Sequence, residues 1–207
     1  MFISFEGPEG SGKTTQMPAL KKHLQKLGYT VFTTREPGGT SIGDQIREVL
    51  LANKNTAMHP RTEILLFQAS RVQLVEGEIL PRLGRGEIVL CDRYADSTLA
   101  YQGYGHRLDL KELNAIVNFA TGGLKPDLTL LFDLDVEVGL NRRQKDGGVN
   151  RLDAFELDFH RRVRAGYHQL AEAEPDRWVI IDAEKSLETV QEQMQAAVIA
   201  RLEASSK

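Results

Sequence analysis

The sequence holds a single cysteine, Cys91, which excludes an internal disulfide framework. Set in the apolar run Ile88-Val89-Leu90-Cys91, it reads as a small buried hydrophobe. No apolar run approaches the ~18 residues of a membrane span. The start, Met1-Phe2-Ile3-Ser4-Phe5-Glu6, lacks the basic residues, long apolar stretch and cleavage site of a signal peptide, so a cytoplasmic protein with no membrane partner is expected. An excess of positive charge is missing too: the formal net charge is −3. That weighs against a nucleic-acid partner, yet it leaves room for one small polyanion in a locally basic cleft. There is no internal repeat, low-complexity tract or evident linker. What is present is an ordinary globular composition, 41% apolar and 27% charged over 207 residues. That suits one three-layer α/β domain over 1–207 with a core that needs no staples.

Short apolar runs alternate with longer amphipathic stretches. Strands are expected at Phe2–Glu6, Thr30–Thr34, Glu87–Cys91, Leu128–Phe132 and Trp178–Ile181. Helices are expected over Thr14–Leu27, Ile42–Ala52, Arg61–Leu83, Leu110–Thr121, Val136–Lys145, Leu152–Ala173 and Leu187–Glu203. The strand runs are nearly continuous in apolar residues, as in parallel sheets covered on both faces. Alternation with helices argues βαβ units. The expected fold is an α/β doubly wound parallel sheet of about five strands with helices on both faces. Ligands in such folds bind beyond the carboxyl ends of the strands, here just after Glu6, Thr34, Cys91 and Phe132.

After the first run stands Gly7-Pro8-Glu9-Gly10-Ser11-Gly12-Lys13-Thr14, a full G-x-x-x-x-G-K-T phosphate loop between a strand and a helix. Backbone N–H groups and the helix N-terminus cradle phosphate oxygens in such a loop. Gly7, Pro8, Glu9, Gly10, Ser11, Gly12, Lys13, Thr14 and Thr15 are thus the expected ATP site. Lys13 would meet the β and γ phosphates, and the Thr14 hydroxyl would be a Mg²⁺ ligand. A dinucleotide fingerprint fits less well, because Gly10-Ser11-Gly12 is followed by Lys-Thr-Thr. The third run ends in Asp92-Arg93-Tyr94. An acid there is the second Mg²⁺-side position of a phosphate-loop protein, and the Arg93 fork suits bidentate phosphate contact. The alternative is a structural salt bridge between neighbours. The guanine-reading Asn-Lys-x-Asp of switch GTPases is missing, since Asn53-Lys54-Asn55-Thr56 lacks the Asp. Phe67 and Arg71, at i and i+4, share a helix face and would give a stacking plate and a bidentate donor. By periodicity alone Phe67 fits a core position better than a base platform.

Three further segments carry a resemblance: Arg35-Glu36-Pro37-Gly38-Gly39-Thr40, Phe67-x-x-x-Arg71, and Asp92-Arg93-Tyr94-x-x-Ser97-Thr98-x-x-Tyr101-Gln102-Gly103. With the phosphate loop, they make nearly the whole chain resemble bacterial thymidylate kinases, of the nucleoside monophosphate kinase group. The resemblance implies phosphoryl transfer from ATP to dTMP with Mg²⁺. It places Phe67 on the thymine ring and Arg71 at its O4 edge. Thr98 with Gln102 reads the rest of that edge, and Ser97 lies in the same segment. Tyr101 packs under C2′, Glu9 faces the 3′-hydroxyl, and Arg93 with Arg47 holds the acceptor phosphate. Pro37 shapes the turn after the second strand, where a cis bond is cheap. A homodimer is implied as well, and the helical stretch from Arg61 to Leu83 offers apolar faces for it.

Between Leu140 and Leu152 a Gly147-Gly148 pair is flanked by Arg142, Arg143, Lys145 and Arg151. Such a stretch reads as a mobile cationic loop, around 141–152. The resemblance makes it a lid over ATP that supplies the catalytic arginine when the phosphate loop carries an acid, as Glu9 does here. Arg151 is expected as the catalytic residue beside Lys13, Arg93 and Asp92, with Arg142 on ATP. Arg161, Arg162 and Arg164 read as helix surface, off the apolar stripe of Phe155, Phe159, Val163 and Tyr167. The acceptor is a phosphate monoester, already an anionic nucleophile, so no general base is expected and catalysis is positioning and charge neutralisation. Two other readings share much of this pattern. One is a different nucleotide or deoxynucleoside kinase, although the Asp-Gly-Phe-Pro-Arg segment of adenylate kinases is missing. The other is a non-catalytic ATP-binding switch module.

Overall fold

A computed structural model describes residues 1–145 and 150–205. Five parallel strands form one sheet: β1 (Phe2–Glu6), β2 (Val31–Arg35), β3 (Ile88–Asp92), β4 (Leu128–Asp133) and β5 (Trp178–Asp182). Their order is β2-β3-β1-β4-β5. The chain leaves β1 for one edge, returns at β3, and then continues past β1 to the other edge. The reversal at β1 opens a crevice at the carboxyl ends of the strands. The register puts Arg35 beside Asp92, Asp92 beside Phe5, and Glu6 beside Leu131. Every residue of β1 is buried, as a central strand covered on both faces must be.

Alternate side chains of the sheet feed two cores. Ile3, Phe5, Leu90 and Leu130 pack under Leu20 and Leu24 of α1 (Lys13–Lys26) and Met194 and Val198 of the terminal helix, Leu187–Ser205. Phe2, Val89 and Cys91 face Leu74 and Tyr94 on the other side. Leu131 there meets Tyr101, Phe159, Val163 and Tyr167. Cys91 is buried, as its apolar run implied. Among the described residues no helix is long and apolar enough to cross a membrane.

The remaining helices are α2 (Ser41–Leu51), α3 (Pro60–Leu74), α4 (Leu80–Gly84), α5 (Ala95–Thr98), α6 (Leu110–Thr121), α7 (Val136–Lys145) and α8 (Leu157–Ala173). Two expected helices are interrupted. The stretch expected over Arg61–Leu83 is α3 and α4 joined by a widened π turn, Val75–Ile79. The turn precedes Pro81, which lacks an N–H and crowds the carbonyl four residues back. The stretch expected over Leu152–Ala173 begins as a 3-10 turn, Arg151–Ala154, capped reciprocally by Asn150 and Asp153; α8 starts at Leu157. A second π-helical segment, Leu99–Gly105, continues α5 where the sequence pattern gives no element. Its Tyr101 packs edge-on to Phe159 and Tyr167 of α8, so tertiary contact overrides the poor helix propensity of its glycines.

An ion pair ties α5, which this segment continues, to the sheet. Arg177, before β5, holds both carboxylate oxygens of Asp96 at 2.6 and 3.0 Å and donates to Thr129 Oγ1 at 2.7 Å. Glu174 also holds this guanidinium at 3.1 Å, so removing Asp96 leaves Arg177 one carboxylate but strips it of two charge-assisted hydrogen bonds, which costs about 3 kcal/mol. Asp96→Ala is therefore expected to lower Tm by about 6–12 °C. A thermal melt within 2 °C of the parent, where ~1 kcal/mol moves Tm by about 2–4 °C, would show that this pair does not brace the fold.

Candidate active site

A cleft of about 700 Å³ opens at the carboxyl ends of β1, β2 and β3. Its floor is the phosphate loop. The loop backbone enters the left-handed region at Gly7, Gly10 and Gly12, with φ of 141, 68 and 82°. A Cβ at Gly10 would collide with the Gly139 carbonyl oxygen of α7, and one at Gly7 with the Phe132 carbonyl of β4. The glycines therefore permit close backbone approach as well as the turn. Lys13 is buried and its ammonium is spent on the loop: Gly7 O at 3.1 Å, Pro8 O at 2.9 Å and Ser11 Oγ at 2.8 Å. Burial, then repulsion from Arg93, lowers its pKa to about 8. Thr14 Oγ1 donates to Asp92 Oδ2 at 2.7 Å. The expected hydroxyl and carboxylate thus meet at the loop edge. Such hard oxygens suit a cation that takes its other ligands from phosphates and water. Among the described residues no group of three or more His, Cys, Asp or Glu side chains forms an all-protein metal cage.

Arg93 follows β3 with φ 68°, left-handed for a non-glycine residue. Its Nη1 reaches Gly7 O at 3.0 Å, Ser97 Oγ at 3.3 Å and Tyr167 OH at 3.1 Å. Its Nη2 pairs with Glu9 Oε1 at 2.9 Å, and Tyr101 OH donates to the same oxygen at 2.8 Å. Burial alone would raise the Glu9 pKa, but Arg93, Lys13 and the Tyr101 hydrogen bond outweigh it and bring it to about 2. Beneath lies Glu6, fully buried at the end of β1. It accepts from Tyr94 N at 2.8 Å, Ser97 Oγ at 2.6 Å and Tyr167 OH at 3.1 Å. Burial and then Asp96 push its carboxyl up to about 7. An acid closing an apolar strand is the signal that marks Glu6; the sequence pattern marks Tyr167 only as part of an apolar helix stripe.

The inner end of the cleft is lined by Phe67, Arg71, Thr98, Tyr101 and Gln102. Phe67 is half-buried and faces the cleft. Arg71 is 1% exposed, and its guanidinium is fully engaged inside the protein. Nε and Nη2 hold Glu36 at 2.8 and 2.6 Å, Nη1 reaches Gln68 Oε1 at 2.7 Å and Thr98 Oγ1 at 3.1 Å, and Nη2 reaches Tyr94 O at 3.1 Å. The Glu36–Pro37 bond is cis, and Pro37 O accepts from Arg47 Nη1 at 2.8 Å.

Of the arginines near the Gly-Gly pair, Arg142 and Arg143 line the cleft, as does Lys145. Arg142 donates to Ala183 O at 3.0 Å; Arg143 lies 3.4 Å from Asp153. Gly147 and Gly148 lie outside the described residues. Arg151 stands apart from the phosphate end. It is 8% exposed, donates from Nε to Leu50 O at 3.0 Å, and pairs through Nη2 with buried Glu63. Arg164 grips Asp133 with two bonds of 2.8 and 2.9 Å, and Arg162 caps Gly105 O. Only Arg161, 56% exposed, has the solvated position expected for all three.

A reversed parallel sheet with this loop at its switch point defines a P-loop nucleotide-binding protein. The comparisons with known proteins are more specific. The family model described as thymidylate kinase matches residues 5–194. Proteins named thymidylate kinase are similar along nearly their whole length. That of Roseiflexus sp. (strain RS-1) is 50% identical, covering 96% of this chain and 93% of the relative. That of Thermomicrobium roseum is 54% identical, covering 95% and 93%. That of Deinococcus radiodurans is 49% identical, covering 97% of each. The chain belongs to the thymidylate kinase family.

Proposed function

We propose that this chain moves the γ-phosphoryl group of ATP to dTMP, giving dTDP and ADP, with 1–207 acting as a single kinase unit. The observation that carries this reading is the cleft itself. It joins a phosphate loop with Lys13 at one end to an aromatic and amide-lined pocket at the other, with Arg93 and Glu9 between. The donor triphosphate lies on Gly7 to Thr15, with Arg142 beside it. Phe67 stacks on the base. Tyr101 packs against the sugar, and Glu9, anionic throughout the working pH range, accepts from its 3′-hydroxyl. Arg93, Arg47 and Ser97 hold the acceptor phosphate, with Pro37 shaping that wall. The phosphate oxygen is already a nucleophile, so the protein's task is alignment and charge neutralisation by Lys13, Arg93 and the cleft-lining Arg142 and Arg143. Arg151, held on buried Glu63, stands behind the base pocket in this arrangement. Thr14 and Asp92 hold Mg²⁺, which when bound neutralises and orients phosphate oxygens. A cytoplasmic setting accompanies this chemistry.

A second copy of the chain is the proposed macromolecular partner. Leu65 of α3 is 60% exposed and Phe119 of the adjacent α6 is 86% exposed, an apolar pair suited to a twofold contact. Sedimentation velocity is expected to give a dimer, and Phe119→Lys is expected to shift it toward monomer. A monomeric parent would remove the partner.

ADP release with ATP and Mg²⁺ is the direct test, run with dTMP, dUMP, dCMP, AMP, GMP and thymidine. Strong turnover with dTMP, weaker with dUMP and little with the rest is expected. Turnover of thymidine would overturn the phosphate-acceptor half of the reading. The depressed Lys13 pKa adds a pH signature. Below about pH 8 the lysine is already charged and ATP binds it as it stands. Above that value binding must take up a proton, so ATP affinity is expected to fall by up to about tenfold per pH unit toward the unperturbed lysine pKa. Calorimetry at pH 7, 8 and 9 in two buffers reads both affinity and proton uptake. A flat affinity with no uptake would take Lys13 off the phosphates.

A further inference from the structure

Glu63 lies on α3 behind the base pocket, 1% exposed. Neither motif nor periodicity marks it, and it lines no part of the cleft. Its carboxylate nevertheless accepts from two side chains and stands beside a third. Gln102 Nε2 donates to Oε1 at 2.8 Å, Arg151 Nη2 pairs with Oε2, and His106 Nε2 stands 3.6 Å from Oε1. Burial works against its charge, but His106, Arg151 and Gln102 together hold its pKa below the usual carboxylate value. An ionised carboxylate only accepts hydrogen bonds. Gln102 must therefore turn its NH₂ toward Glu63, which leaves its carbonyl Oε1 for the cleft that it lines.

Thr98, four residues before Gln102, is fixed by the same logic. Arg71 cannot lose its proton, so the Gln68 Oε1 opposite it accepts, and Gln68 Nε2 donates to Thr98 Oγ1 at 3.3 Å. Arg71 Nη1 donates to that oxygen too, at 3.1 Å. With both lone pairs engaged, the Thr98 hydroxyl is left to act as a donor. Two buried carboxylates, Glu36 through Arg71 and Glu63 directly, so order the pocket wall as a donor beside an acceptor.

We propose that Glu63 is a positioning residue for base recognition, which fixes the polarity of Gln102 so that the wall accepts a pyrimidine with a 4-keto oxygen beside N3–H. This rests on the pocket being the acceptor-base site. A 4-keto pyrimidine offers its oxygen to the donor corner formed by Arg71 and the Thr98 hydroxyl, and its N3–H to Gln102. Cytosine reverses both, placing its 4-amino donor against those donors and its N3 lone pair against the carbonyl oxygen. Sites built on buried hydrogen bonds reject such mismatches strongly, because polar groups are left unpaired.

The test is Glu63→Gln, whose amide can either donate or accept and so frees Gln102 to turn. The ratio of kcat/KM for dTMP over dCMP is expected to fall about tenfold or more, mainly through KM. In a Gln102→Ala background the same substitution is expected to leave that ratio unchanged, because the effect passes through Gln102. Arg151→Gln, which removes the other partner of Glu63, is expected to affect dTMP and dCMP equally. If Glu63→Gln fails to fold, Glu63→Asp carries the test, keeping the charge while withdrawing it from Gln102, with a smaller fall in the ratio. Calorimetric binding of dTMP and dCMP to parent and variant supplies a readout independent of turnover. A folded Glu63 variant with the parental ratio, in an enzyme that does use dTMP, overturns this inference alone. A parent that neither binds nor phosphorylates dTMP overturns it together with the proposed function.

Discussion

The cleft is organised around one guanidinium that is held in place from below. Arg93 sits in a left-handed backbone conformation that costs a non-glycine residue about 1–3 kcal/mol. That conformation persists because its surroundings over-determine it. Gly7 O, Ser97 Oγ, Tyr167 OH and the Glu9 carboxylate all accept from the side chain. Ser97 and Tyr167 in turn donate to buried Glu6, which leaves their oxygens facing the guanidinium. The result is a cation placed at the mouth of the phosphate loop without the loop having to carry it. Such fixed positive charge is what transfer between two anions requires, since no reorganisation is needed at the moment of reaction.

The same economy governs the backbone. The phosphate loop touches α7 and β4 so closely at Gly10 and Gly7 that no side chain fits between. Any movement of α7 is therefore felt directly by the loop. Arg142 and Arg143 sit at the far end of that helix and line the cleft. The backbone contact between Gly10 and Gly139 thus seats α7, and with it these two arginines, directly against the loop.

The sheet, the phosphate loop with its Thr14, the acid Asp92 that closes β3 and the face shared by Phe67 and Arg71 were legible in the sequence because each rests on local spacing. A strand, a glycine-rich turn and a helix N-terminus announce themselves within a dozen residues. What was not legible depends on contacts distant in sequence. The π-helical run that carries Tyr101 and Gln102 exists because α8 packs on it. Arg151, close in sequence to the cationic Gly-Gly stretch, is drawn to a carboxylate 88 residues away. Arg162 and Arg164, off the apolar stripe, find Gly105 O and Asp133 in the fold. A buried acid such as Glu63 looks like any helix-surface glutamate until its three neighbours are known.

The two ends of the cleft solve opposite electrostatic problems with the same residue types. At the base end Arg71 is neutralised by Glu36 and Arg151 by Glu63, all four being 8% exposed or less. The pocket presents a neutral aromatic face and fixed dipoles, and desolvating a neutral base there costs little. At the phosphate end the balance is shifted. Arg47 is bonded to a carbonyl rather than an acid, and Lys13 likewise spends its donors on neutral oxygens. Charge left uncompensated in a partly buried site is expensive for the free protein, as the lowered Lys13 pKa records. That cost is recovered only when an anion arrives. On the proposed function, the cleft takes the neutral part of its ligand by shape and hydrogen-bond order, and reserves its unspent positive charge for the phosphates between which a group is to move.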